Sequence, residues 1–209
     1  MKKHPVKQLI EQGEGLHLDF KFEVSDAAKI ARSLVAFANT EGGTLLIGVK
    51  DNGVIRGIRS EEEFYMIEHA AHNYCRPPVH FESKEWNIGG KKVLEIKIPV
   101  SNIVPHRAPN KDGHYKAYIR INDENILAPG VQMKIWRKRH AENNIRVTIE
   151  NHYRWLLDHL KIVPYITVEQ FKVTRQISKH LAEEIISDLI ILDVLQMDMD
   201  EKNVYFTLK

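Results

Sequence analysis

The clearest pattern in the chain is a strict alternation of apolar and polar residues over positions 16–23. Leu16, Leu18, Phe20 and Phe22 fall on one face of an extended chain, and the residues between them are polar. A period of two is typical of a strand that buries one face. We therefore predict a half-buried strand here, with its polar face in solvent.

A helical period follows this strand. Apolar residues recur every three to four positions from Ala27 to Ala38, and Asp26 before them can cap the free amides of a helix. The apolar run 44–49 predicts a short strand buried on both faces, and a turn follows it. The same reasoning predicts helices over 4–12, 60–74 and 130–140 and strands over 54–58, 79–86, 92–100 and 115–121.

The last third of the chain predicts three amphipathic helices and a hairpin. The helices cover about 145–160, a short segment opened by the capping box of Thr167 and Gln170, and a segment that Ser178 caps. The hairpin joins 194–197 to 204–208. This order is typical of a winged helix-turn-helix domain. The predicted fold class is therefore α+β, with a first domain over residues 1–140 and a small winged-helix domain over residues 141–209.

Charge is divided unevenly between these predicted domains. Residues 1–140 hold 22 Lys and Arg against 17 Asp and Glu, whereas residues 141–209 hold 8 against 11. A polyanion should therefore bind mainly to the first domain. The single cysteine and the lack of a long apolar run lead us to expect a cytoplasmic protein with no disulfide, signal peptide or membrane span.

Two stretches carry a resemblance to a known family. Residues 13–21 read GEGLHLDFK, and residues 34–49 read LVAFANTEGGTLLIGV, followed by Asp51-Asn52-Gly53. Together with Pro105-His106 and residues 117–120, they resemble the Schlafen AlbA-like domain, also called a divergent AAA domain, over about residues 8–130. The resemblance implies an α/β domain with a mixed or antiparallel sheet that binds DNA or RNA. It favours a transcriptional regulator of the bacterial type with a C-terminal winged helix.

The divergent AAA label does not extend to ATP hydrolysis in this chain. The sequence contains no G-x-x-x-x-G-K-[ST] loop, the motif that cradles phosphates in Walker-type ATPases. We therefore do not predict an ATPase.

The resemblance also suggests an enzymatic alternative. Some Schlafen proteins are metal-dependent ribonucleases with three acidic residues, and the matching positions here are Glu14, Asp19 and Asp51. Three neighbouring carboxylates would hold Mg²⁺ or Mn²⁺, which would activate water and stabilise the scissile phosphate. Alternatively, Glu14 and Asp19 pair with Lys21 or cap backbone groups, and Asp51 is only a turn residue. We favour a binding protein without a cofactor and keep the nuclease as the alternative.

Nine basic residues are the candidates for contact with nucleic acid. Most flank the proline-containing loop 101–114 or lie on the predicted helix 130–140. They are Lys21, Arg107, Lys111, Lys116, Arg120, Lys134, Arg137, Lys138 and Lys179. The sequence does not separate DNA from RNA as the partner.

The helix after Ser178 permits two interpretations. It begins with Lys179 and His180, which suit contact with DNA, but Glu183, Glu184 and Asp188 follow and would repel it. Its many apolar residues favour an interface, so a homodimer through this domain is the other interpretation.

The remaining residues of possible chemical interest give weaker signals. His69 and His72 could bind a metal, but they lack a third ligand and are better explained as a solvated helix face. His106 is expected to anchor its loop or to contact phosphate. Cys75 is expected to be a buried apolar residue.

Overall fold

The computed structural model of the chain describes residues 4–141, 151–200 and 203–209. The chain divides into two compact units, residues 1–127 and residues 128–209. Each unit has its own buried hydrophobic cluster. In the described parts of the chain, no helix is both long and apolar enough to cross a membrane.

The first unit is built on a four-stranded mixed sheet, as predicted. Its strands are β1 (Leu18–Lys21), β2 (Gly43–Ile47), β3 (Glu82–Ile88) and β4 (Lys91–Ile98), in the order β1-β2-β4-β3. β1 runs parallel to β2, and the other neighbours are antiparallel. Parallel neighbours require a crossover connection, which here is the helix α2 (Ala27–Asn39).

Both faces of the sheet are covered by helices. Leu45 faces the larger core, which includes residues of α2, of α3 (Glu62–His69) and of the π-helical turn Ala70–Tyr74. Leu46, its neighbour in β2, faces a smaller core that includes Val6 of α1 (Pro5–Gln12). The prediction that this strand is buried on both faces is confirmed.

Four short strands complete the first unit as two antiparallel pairs. β5 (Ala108–Pro109) pairs with β6 (Tyr115–Lys116), and β7 (Tyr118–Ile121) pairs with β8 (Glu124–Leu127). The sequence predicted one strand over 115–121 and missed β8. The predicted strand over 54–58 is reduced to a single bridge between Val49 and Ile55.

The second unit contains four helices and a hairpin among its described residues. The helices are α4 (Gly130–His140), α5 (Asn151–Leu160), α6 (Val168–Arg175) and α7 (Lys179–Ile191), and the hairpin joins β9 (Leu195–Met199) to β10 (Val204–Leu208). The predicted beginning of the first of its amphipathic helices, over 145–150, lies outside the described residues. Because α4 packs against α7, the first unit ends earlier than the predicted boundary at residue 140.

Local signals in the second unit act as the sequence indicated. Thr167 and Gln170 form a complete capping box, and the Ser178 hydroxyl accepts a hydrogen bond from the amide of Leu181. The side chain of Leu181, in the first turn of α7, is exposed, whereas that of its neighbour Ala182 is buried.

Candidate nucleic-acid interface

An open depression of about 570 Å³ lies on the first unit, between β1, α2, the segment 110–116 and the β7–β8 hairpin. Its charged lining is mostly basic. The basic residues are Lys21, Lys29, Arg32, Lys111, Lys116 and Arg120, and the acidic residues are Asp19, Asp123 and Glu124. Four of the predicted nucleic-acid contacts, Lys21, Lys111, Lys116 and Arg120, are therefore brought together here.

Arg120 lies buried at this depression and holds β7 against β1. Its Nε donates to the carbonyl of Gly15 at 3.1 Å, and its Nη2 donates to the carbonyl of Leu18 at 3.3 Å. Its Nη1 donates to Oδ1 of Asn125 at 3.1 Å, and Nη2 lies 3.4 Å from Oδ1 of Asp19. The Arg120 side chain is only 1% exposed. The prediction that Arg120 contacts phosphate directly is therefore contradicted by its burial, and its role is to position the walls.

The carboxyl groups of Glu14 and Asp19 are neighbours beside this arginine. Glu14 Oε1 accepts a hydrogen bond from the amide of Phe20 at 2.8 Å. Burial and a hydrogen bond with Asp19 raise the pKa of Glu14. Lys21 Nζ lies 2.7 Å from Oδ2 of Asp19 without hydrogen-bond geometry. Asp19 is thus held between an ammonium and a guanidinium. The expectation that the polar face of this segment meets solvent is therefore wrong for Asp19, whereas His17 and Glu23 on the same face are exposed.

Asp51 does not join these two carboxyl groups as a metal site. It is exposed on the turn after β2, in a separate depression lined also by Phe22, Lys50 and Asn52. Within residues 4–141, 151–200 and 203–209, no group of three or more His, Cys, Asp or Glu side chains could hold a metal ion. The three predicted ligands therefore do not fit the Mg²⁺ or Mn²⁺ that the ribonuclease hypothesis requires.

The cations available to a ligand are on α2 and the segment 110–116. Lys29, Lys111 and Lys116 are exposed, and none has an ion-pair partner in the part of the chain that the structure describes. Arg32 is half-buried, and its Nη1 donates to the carbonyl of Pro109 at 3.4 Å. Sequence reasoning missed Lys29 and Arg32. Their signal was a basic pair at i and i+3 opposite the apolar stripe of α2.

Asn39 fixes the chain that carries the opposite wall. Its Nδ2 donates to the carbonyls of His106 and Tyr118, both at 2.9 Å, and its Oδ1 accepts from the amide of His106 at 2.8 Å. The His106 ring is also anchored, with Nδ1 2.8 Å from the carbonyl of Pro77 and Nε2 2.7 Å from Oγ of Ser101. Burial lowers the pKa of His106. Of the two roles expected for His106, the structure supports the loop anchor.

Three basic residues of α4 form ion pairs within the second unit. Glu184 Oε1 lies 2.7 Å from Nζ of Lys134 and 2.6 Å from Nη2 of Arg137, and Nζ of Lys138 lies 2.7 Å from Glu184 Oε2. Lys138 also contacts Asp188 at 2.7 Å. Burial alone would raise the pKa of Glu184, but the three cations lower it to about 2. The prediction that these residues form a free phosphate-binding face is contradicted.

The other two predicted contacts lie outside the depression. Arg107 forms a backbone bridge with Arg76. Lys179 is exposed at the start of α7, and its Nζ is 3.9 Å from a carboxylate oxygen of Glu183. Cys75 is a buried free thiol, as expected.

The uneven division of charge disappears at the structural boundary. Residues 1–127 hold 18 Lys and Arg against 17 Asp and Glu, and residues 128–209 hold 12 against 11. The surplus assigned to the first domain came from α4. The local arrangement of side chains, and not the net charge of a unit, therefore distinguishes the depression.

Comparison with known proteins identifies a family that the chain matches. The family model described as Schlafen, AlbA_2 matches residues 14–129. The crystal structure of the DIP2311 protein from Corynebacterium diphtheriae is similar at 18% identity and a TM-score of 0.45, covering 70% of this chain and 30% of that one. The solution NMR structure of the N-terminal domain of a protein related to the ATP-dependent DNA helicase RecG, from Nitrosomonas europaea, is similar at 19% identity and a TM-score of 0.38, covering 72% of this chain and 97% of that one.

This chain therefore spans less than a third of the length of the Corynebacterium chain. The family model, by contrast, covers more than half of the present sequence. The chain belongs to the Schlafen AlbA_2 family.

Proposed function

We propose that this protein binds nucleic acid through the depression of its first unit. The observation that carries the proposal is the set of exposed lysines around one concavity, Lys29, Lys111 and Lys116, which have no internal ion-pair partner among the described residues. Ammonium groups in this state attract a phosphate backbone, and binding releases the counterions that the backbone carried. Membership in the Schlafen AlbA_2 family is consistent with this proposal.

The rigid surroundings of these lysines support a binding role. Arg120 ties β7 to β1, and Asn39 ties the end of α2 to the chain at His106 and Tyr118. The walls are thus set by buried hydrogen bonds, whereas the lysine side chains remain available. A preformed site does not lose binding free energy to ordering of its backbone.

Salt-dependent binding of the double variant Lys111→Gln/Lys116→Gln tests the proposal. A matched control is Lys7→Gln/Lys97→Gln, which also removes two exposed lysines but lies outside the depression. Fluorescence anisotropy with a labelled oligonucleotide over a salt series gives the affinity and its salt slope. We expect the first variant to lower the affinity and reduce the salt slope by about two, because each lost phosphate contact contributes about one. Equal slopes for the two variants and the wild type would exclude the depression as the binding surface.

The second unit supports a finer proposal, a winged helix that reads DNA in a transcriptional regulator. A single antiparallel bridge joins Ile166, between α5 and α6, to Phe206 of the β9–β10 hairpin. Glu184 and Asp188, which were expected to repel DNA, pair with cations of α4. The start of α7 is left with the exposed Lys179.

Charge reversal at α7 tests this finer proposal. Lys179→Glu should weaken binding of duplex DNA, whereas Lys161→Glu, an equally exposed site in the same unit, should have little effect. Equal affinities for the two variants would contradict a reading role for α7. Dimerisation is not part of the proposal, because the apolar residues Ile185, Ile186 and Leu189 are buried within the unit itself.

A further inference from the structure

The exposed charges that line the depression are sorted by structural element. The exposed lysines lie on α2 and the segment 110–116, whereas the carboxylates of Asp123 and Glu124 lie on the β7–β8 hairpin. Both carboxylates are exposed, and neither has an ion pair among the residues that the structure describes. Opposite charges therefore line one depression without neutralising each other.

This sorting disfavours a nucleic-acid strand that passes straight through. A continuous strand carries one negative charge at every phosphodiester, so phosphates on both sides of a bound nucleotide must be accommodated. Phosphates next to Asp123 and Glu124 would be repelled. A strand that ends in the depression can place its terminal phosphate among the lysines. The rest of that strand then lies on the side from which it entered.

The chemistry of a strand end also suits the lysines better. A terminal phosphomonoester carries about −1.5 to −2 charges near neutral pH and has three acceptor oxygens. An internal phosphodiester carries a single charge. Lys29, Lys111, Lys116 and the free part of the Arg32 guanidinium provide several donors in one place. The volume of about 570 Å³ lies within the range of ordinary small-ligand pockets and is sufficient for one terminal nucleotide.

We infer that the depression receives the phosphorylated end of a nucleic-acid strand, which is the phosphomonoester and its terminal nucleotide. The inference rests on the proposed function and specifies the ligand of the same site. In this arrangement the lysines bind the terminal phosphate. The hydrogen bonds of Asn125 and Arg120 hold the surrounding chain in place. The carboxylates of the β7–β8 hairpin exclude a strand that continues.

The test is a competition experiment with the full chain and one fluorescent single-stranded oligonucleotide. The competitors share one sequence and differ only at the end: 5′-phosphate, 3′-phosphate, hydroxyl at both ends, and a covalently closed circle. A mononucleotide is a further competitor, because it carries the same phosphomonoester without a strand. We expect one of the phosphorylated strands to compete about tenfold or more better than the hydroxyl strand and the circle, since charge-assisted hydrogen bonds to phosphate are lost in both.

Two double variants test whether the carboxylates of the β7–β8 hairpin exclude a continuing strand or only weaken the binding of any polyanion. Asp123→Asn/Glu124→Gln should improve binding of the circle more than that of the phosphorylated strand, whereas the control Asp51→Asn/Glu82→Gln, at exposed sites outside the depression, should leave their ratio unchanged. Equal competition by the circle and the phosphorylated strands would overturn the inference and leave the proposed function intact. If only the mononucleotide competed tightly, the inference would be overturned, because the ligand would be a free nucleotide and not the end of a strand. If no polynucleotide bound even at low salt, both the inference and the proposed function would fail.

Discussion

The ion-pair cluster between α4 and α7 makes the most quantitative prediction. Replacing Glu184 by Gln keeps the shape of the side chain but removes the charge that Lys134, Arg137 and Lys138 share. Lys134 is only 9% exposed and Glu184 only 21% exposed, so solvent screens this cluster weakly. The variant should therefore destabilise the second unit far more than loss of a surface ion pair would.

The magnitude follows from the pKa of Glu184. The cations of α4 lower it from 4.5 to about 2, and each pKa unit corresponds to about 1.4 kcal/mol. The ionised carboxylate thus contributes about 3 kcal/mol to the free energy of unfolding near neutral pH. Because the folded-state pKa is depressed, this stability is present above about pH 4.5 and is lost as the pH falls towards 2.

Urea unfolding followed by tryptophan fluorescence measures the effect, since Trp136 and Trp155 both lie in the second unit. Glu169→Gln is the matched control. Glu169 contacts Lys172 at 2.6 Å but is 65% exposed, so its loss should cost at most about 0.5 kcal/mol. The loss for Glu184→Gln should be largest near neutral pH and roughly halved at about pH 3. Losses that were equal for the two variants, or independent of pH, would refute this reasoning.

Three further predictions concern the first unit. Arg120→Met should lower its free energy of unfolding by about 3 kcal/mol or more, because Asp19 loses a buried partner; adding Asp19→Asn should restore part of this loss in urea titrations. Asn39→Ala removes three buried hydrogen bonds and should cost about 3 kcal/mol in the same assay. The Cys75 thiol, which is 1% exposed and has its pKa raised to about 12 by burial, should react with a thiol reagent only after unfolding, so reaction at the rate of a free thiol in the native protein would contradict the structure.

The sequence predicted best what short-range interactions decide. Asp26, Thr167 and Ser178 were assigned as helix caps from their place before an apolar period, and each accepts the expected amide hydrogen bond. Such contacts join residues two or three positions apart, so the pattern contains all the information that they need. The strand β8 was missed because its two polar residues precede its two apolar ones, so it shows no alternation.

The partners of the charged residues could not be predicted, because they depend on tertiary contacts. Glu184 neutralises residues about 50 positions earlier in the chain, and Asp19 meets Arg120 from the other end of the first unit. Counting charges along the sequence placed a basic surplus in the first domain, but α4 and its cations belong to the second unit. From the sequence alone, a basic helix face that pairs with an acidic one looks the same as two faces that are both exposed to solvent. Only the packing of the helices distinguishes the two cases.

Glycines of the family signature lie where neighbouring atoms leave no space for a side chain. A Cβ atom at Gly43 would collide with the ring of Phe37, one at Gly42 would lie 2.8 Å from the carbonyl oxygen of Ile98, and one at Gly48 would lie 2.7 Å from the backbone of Gly57. The signature therefore indicates the backbone fold. It places no constraint on Lys29 or Lys111, so relatives with the same signature can differ in ligand, and surveys of such chains should sort them by the lining of this depression.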